Sequence, residues 1–392
     1  MKGTRQIPDK SDRKASGLWI ACLLLGLLAV TAVIWKLAPI RYEMYASDTI
    51  RYIRGVVTEV IKEELEPSVD LPGRELGRQT VSVRLSGEDG GEEVVTFENY
   101  LSTTHAVKVA VGTRVIVKAD CPIGAPPYYS VYQYDRTGGL CLALLFFAAC
   151  MTLVGRSKGL RAALGLGMAV LLIGGALLPA VYNGWPPVVM TLLVCLAISA
   201  EALLLLNGFS RKTAIAILST AAGLIGAAAF YGLLTALLRV TGYHIDEAEE
   251  LILISRSTGL QIRQVLFSAI LLSALGAVMD TTMSVASALC EMRQIHPAIR
   301  GRELFRAGMS IGGDMIGTMC QTLVLAFAGS SLATLLVLLS YGTQLQQFLS
   351  SDLVALEVLQ ALTGSLAVVL AVPVTAVLCA LLAGGTAGEG RR

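Results

Sequence analysis

Residues 264–290 read QVLFSAILLSALGAVMDTTMSVASALC, an apolar run interrupted by the single charged residue Asp280. A helix of this length crosses the hydrocarbon core of a bilayer, which is about 30 Å thick. Comparable runs occupy 17–38, 138–154, 161–179, 187–206, 214–238, 306–329 and 355–382, and apolar residues 331–341 extend the seventh run. The expected fold is therefore an α-helical polytopic membrane protein with about eight transmembrane helices. Composition agrees, with 54% hydrophobic and 15% charged residues, where soluble chains carry about 25% charged. A soluble enzyme, a nucleic-acid binder and a disordered scaffold are excluded. The net charge of +2 comes without any long basic run, so no nucleic-acid partner is expected.

Lys and Arg in short connections set the orientation. The N-terminus, Arg156-Lys158-Arg161, Arg211-Lys212, Arg293 to Arg306 and Arg391-Arg392 fall on one side of an eight-span chain. Opposite connections at 182–184 and 342–353 carry none, and 239–263 balances three arginines with Asp246, Glu247, Glu249 and Glu250. Both termini are therefore expected in the cytoplasm and residues 41–136 outside. The first run exceeds a signal h-region, with no small-residue cleavage site before Pro39, so it reads as a retained anchor. The expected domains are a tail and first helix (1–40), an extracytoplasmic β domain (41–136), a seven-helix domain (137–385) and a cytoplasmic tail (386–392).

Within 41–136, strands are expected at 50–64, 78–86, 92–98, 113–119 and 128–134, because apolar and polar residues alternate as in Thr80-Val81-Ser82-Val83-Arg84-Leu85. Val107 to Val117 reads as a further pair of extended runs about Gly112. Such short strands suit a small OB- or SH3-like barrel, a fold that binds ligands, packs or mediates assembly. Of eight cysteines only Cys121 lies there, so no disulfide forms within the domain. The three histidines are scattered, and no cofactor is expected.

Charged groups inside apolar runs mark function by default. On helix six, Ser284, Ser287 and Glu291 fall about 40°, −20° and 20° from Asp280, one polar stripe. On helix seven, Asp314, Thr318 and Gln321 share a face, while Gly308, Gly312, Gly313 and Gly317 give two overlapping Gly-x-x-x-Gly spacings for close helix packing. Both aspartates lie roughly 12–15 Å from the inner surface on consecutive helices. Two such acids can share a proton or hold a hard cation. Glu201, close to the inner end of helix four, is expected to snorkel or to pair with Arg211 or Lys212.

Gly276-Ala277-Val278-Met279-Asp280, Ser284-Val285-Ala286-Ser287 and the Gly308–Met319 segment resemble the YibE/F-like bacterial membrane proteins. The resemblance implies a multi-pass protein of the bacterial cytoplasmic membrane, with transport as its presumed activity. The leading reading is thus a nonenzymatic permease for an ion or small solute, lined by Asp280, Ser284, Ser287, Glu291, Asp314, Thr318 and Gln321. No Walker A sequence is present, so coupling would come from an ion gradient or a partner. One alternative is an assembly or sensory protein, as a homo-oligomer or with a membrane partner. Another is an intramembrane aspartic protease, against which stand Met279 before Asp280 and the tetrad Ile311-Gly312-Gly313-Asp314.

Overall fold

The computed structural model describes residues 10–39, 49–68, 72–86, 91–240 and 248–382. The tails expected in the cytoplasm, residues 87–90 between the second and third expected strands, and the acids Asp246 and Glu247 lie outside the described residues. The chain divides into two compact units, one of residues 41–150 and one of 1–40 with 151–392.

The first unit is built on five antiparallel strands in the order β3-β2-β1-β4-β5. These are β1 (Ile50–Pro67), β2 (Glu75–Ser86), β3 (Glu92–Leu101), β4 (Arg114–Asp120) and β5 (Tyr128–Tyr134). Each of the five strands expected at 50–64, 78–86, 92–98, 113–119 and 128–134 is present. The register of β1 on β2 shifts between Val57 and Glu59 and again between Val60 and Lys62, and such bulges bend a strand. The sheet is open, not the closed barrel expected: no backbone ladder joins edge strands β3 and β5, which meet through the Phe97 and Tyr129 rings at 6.1 Å. Val57, Val81, Val83, Val115, Val117 and Val131 fill its core.

Val107 and Val109 were expected in a strand, but they join the core from an irregular segment. Their backbone groups are satisfied by buried amide side chains instead of by a neighbouring strand. Gln79 Nε2 donates to the Val109 carbonyl (3.0 Å), the Val109 N–H donates to Gln79 Oε1 (3.0 Å), and Asn99 Nδ2 donates to the Val107 carbonyl (2.8 Å). Nearby, Lys108 bridges Glu63 and Glu75, and Arg78 pairs with Glu64 at 2.6 Å. Hydrogen bonds from Gln79 and Lys108 hold Glu63 below its ordinary carboxylate value, and Lys62 and Arg78 do the same for Glu64.

The helical elements are α1 (Lys10–Leu37), α2 (Thr137–Leu172), a π-helical turn (Ile173–Leu177), α3 (Leu178–Tyr182), α4 (Pro187–Asn207), α5 (Arg211–Leu238), α6 (Ala248–Thr258), α7 (Ile262–Ile295), α8 (Gly301–Ser330), α9 (Leu332–Ser340), α10 (Leu345–Leu349) and α11 (Asp352–Leu382). Among the described residues, six helical stretches are long and apolar enough to cross a membrane. The difference from eight has two sources. Of α1 only Ala21–Leu37 enters this count, because the side chains before Ala21 are outside the described residues, and the runs at 138–154 and 161–179 fall in one stretch, Thr137–Tyr182. That stretch is broken at Arg156, whose φ of 49° and ψ of −130° are not helical. The apolar segment after α8 is a separate helix, α9, beyond a break at Ser331.

In the second unit α11 packs against α5, α7 and α8. Small residues set these seams. A methyl on Gly308 would stand 2.8 Å from Ala376 Cβ, and one on Gly312 would overlap the Val372 side chain. On the α5 seam, a methyl on Gly223 would stand 2.8 Å from the Ala367 carbonyl oxygen. Between α5 and α7, the Thr220 and Thr282 hydroxyls share a 3.0 Å hydrogen bond.

Candidate functional site

Helix α7 is long enough to present different faces to different surroundings, and its polar residues divide accordingly. Thr281 and Thr282 are buried within the bundle, while Asp280 and Ser284 are exposed and Ser287 is half-buried. The expected stripe is therefore real as a face of the helix, and it points away from the bundle core. Toward its end, Ser287 and Glu291 line a cavity of about 460 Å³. Arg211 and Lys212 of α5 line it too, with Ser210, Arg293, Cys290 and Cys379. Ser210 caps α5 by accepting from the Thr213 N–H at 3.3 Å, so the start of α5 opens on this space. Glu291 is accompanied there by three basic side chains, and no ion pair joins them among the described residues.

Helix α8 faces two ways. Gly308 and Gly312 are buried against α11, which meets the packing expectation. Gly313 and Gly317 do not follow it: they are exposed, and nothing lies within 4 Å of a methyl added at either. Adjacent helical positions are about 100° apart, so only one of the two glycine spacings can face α11. The other lies beside Asp314, Thr318 and Gln321, which are also exposed. Thr318 Oγ1 donates to its own helix at the Met315 carbonyl (3.0 Å). Only 17% of the α8 apolar stretch is buried, against 33–50% of the other five. Asp280 and Asp314 are joined by no hydrogen bond among the described residues, and both are exposed. No group of three or more His, Cys, Asp or Glu that could hold a metal occurs among them.

Glu201 was misread at the sequence level. It is 1% exposed, and neither carboxylate oxygen has a hydrogen-bond partner. Arg211 and Lys212, its expected partners, line the α5–α7 cavity instead. An acid about a turn and a half from a helix end reads as a snorkelling side chain. The one contrary signal was Gly165, which supplies room for the carboxylate and carries no chemistry of its own.

The family comparison covers these helices. A model described as YibE/F-like protein matches residues 143–385, from within α2 through the end of α11. The chain belongs to the YibE/F-like family. The match takes in Glu201, the α7 stripe, both α8 faces and the cavity, and leaves α1 and the five strands outside it. No curated protein and no solved structure matches the chain.

Proposed function

We propose that this YibE/F-like protein is a permease of the bacterial cytoplasmic membrane, moving an ion or small solute along the polar face of α7, with both termini in the cytoplasm. The observation that carries the reading is the cavity in which Ser287 and Glu291 meet Arg211, Lys212 and Arg293. It gives the inner end of the Asp280–Glu291 stripe a chamber with both signs of charge. Asp280 and Ser284 continue the same face toward mid-membrane. Asp280 directed at hydrocarbon would cost several kcal/mol, so this face meets water or protein rather than lipid. The uncovered α8 face, with Asp314, Thr318 and Gln321, favours a second subunit that closes the path on that side, in a homo-oligomer or with a membrane partner. An aspartic protease would need both acids on one water, whereas Asp280 and Asp314 are exposed on separate helices with no hydrogen bond between them among the described residues. The function is nonenzymatic on this reading.

The test is flux. Purified protein in liposomes loaded with proton- and ion-sensitive dyes should give a gradient-driven signal that Asp280→Asn and Glu291→Gln reduce at unchanged protein content. A signal equal to that of empty liposomes across monovalent and divalent ions and small organic acids and amines would remove the permease reading.

A further inference from the structure

Glu201 lies on α4, which packs against α7, α5, the π-helical turn that follows α2, and α3. Its carboxylate sits over Gly165 of α2, where an added methyl would stand 3.3 Å from Oε1, 3.8 Å from Oε2 and 3.5 Å from Leu205 Cδ1. Ile198 and Leu205 close the adjoining turns of α4 at 5% and 0% exposure. Charged and titratable groups on the neighbouring elements give Glu201 no hydrogen bond. Arg211 and Lys212 of α5 and Cys290 and Glu291 of α7 line the cavity, and Asp280 is exposed. Tyr231 of α5 donates to the Arg263 carbonyl at 2.9 Å. Arg161 lies one turn before Gly165 on α2. None gives Glu201 a hydrogen bond.

An isolated carboxylate in a medium of low dielectric constant is opposed by tens of kcal/mol in the Born limit, so it takes up a proton or a counter-ion. A hard cation needs about six oxygen ligands, and neither Glu201 oxygen has even one polar partner. A proton needs none.

We propose that Glu201 is a proton-binding site of the helical bundle, occupied while α2 covers α4 at Gly165. One carboxylate oxygen takes a proton from hydronium, forming the carboxyl O–H bond as an O–H bond of the hydronium breaks and leaves water. The proton returns to water only when the α2–α4 contact opens, so loading and release are tied to that movement. This stands whether or not the α7 stripe carries a solute.

Infrared difference spectroscopy of the full-length protein in lipid discs at neutral pH, against Glu201→Gln, tests it. The expected result is a carbonyl stretch of a protonated carboxyl in the wild type that the variant lacks. Glu201→Gln and the apolar Glu201→Met should melt no lower than the wild type, since no ion pair is lost. Absence of that band, or failure of both variants to fold, overturns the proposal. So does a band abolished by added sodium, potassium or magnesium, which would mark a bound cation.

Discussion

The two glycine faces of α8 give opposite expectations for one chemical change. Gly308→Ala places a methyl 2.8 Å from Ala376 Cβ, 2.8 Å from Leu289 Cδ1 and 3.4 Å from Ala376 Cα. Carbon atoms rest at about 3.5–4.0 Å. Leu289 can turn away, but Ala376 Cβ and Cα move only with the α11 backbone, so the helices must part by roughly 1 Å. Overpacking of this kind costs about 1–3 kcal/mol, and the better helix propensity of alanine returns only about 1 kcal/mol. Gly312→Ala meets the Val372 side chain, whose branched Cβ holds it to one helical rotamer, and should lose at least as much. Gly313→Ala and Gly317→Ala meet nothing and should be neutral or gain up to about 1 kcal/mol. Thermal unfolding in detergent reads the difference, and Ala376→Gly should rescue Gly308→Ala as Val372→Ala rescues Gly312→Ala. Equal melting temperatures for the 308, 312, 313 and 317 variants would refute the assigned α8–α11 seam.

Three further expectations follow from other parts of the chain. Gln79→Leu strands the Val109 N–H and carbonyl and one Asn99 contact at the β core, at about 1–3 kcal/mol per orphaned group; proteolysis of residues 102–113 should quicken while the helical unit melts unchanged. Glu63, Glu64 and Asp135 are held below their ordinary values of 4.5, 4.5 and 3.8. Asp135 owes this to the Thr137 hydroxyl and N–H. Their contribution is thus present above the ordinary carboxylate range and lost as pH falls through it toward the depressed folded values; an acid titration of the strand circular dichroism should move to higher pH in Glu63→Gln, and an unmoved curve would deny these pairs a role. Reporter fusions should show a cytoplasmic C-terminus and an outward location for insertions within 86–91, and an outward C-terminus would reverse the membrane orientation.

What the sequence made legible follows the range of the forces involved. Strands β1 to β5 could be read because alternation such as Thr80 to Leu85 is local. Closure of the sheet could not, since it depends on how β3 and β5 meet after every other strand has paired. Val107 and Val109 look like a strand by the same alternation, and only the buried amides of Gln79 and Asn99 explain why they are not one. The α7 stripe followed from helical angles alone. Which way it faces depended on the packing of α4, α5 and α11, which periodicity does not encode. Gly312 and Gly313 show the same limit: adjacent, identical, and turned to different surroundings. Glu201 was missed because its burial is set by Gly165, distant in the chain.

Solvent access along α7 tests the permease reading most directly, without knowledge of the solute. In a protein with its eight native cysteines replaced by serine, Asp280→Cys, Ser284→Cys, Ser287→Cys and Glu291→Cys would each be exposed to small charged thiosulfonates that do not cross lipid. The fully buried Val278 and the exposed apolar Leu193 of α4, both changed to cysteine, serve as controls. The account predicts modification at all four stripe positions and at neither control. Modification at 291 alone, with 280 and 284 as silent as Leu193→Cys, would show that water stops at the cavity and would contradict a path along α7.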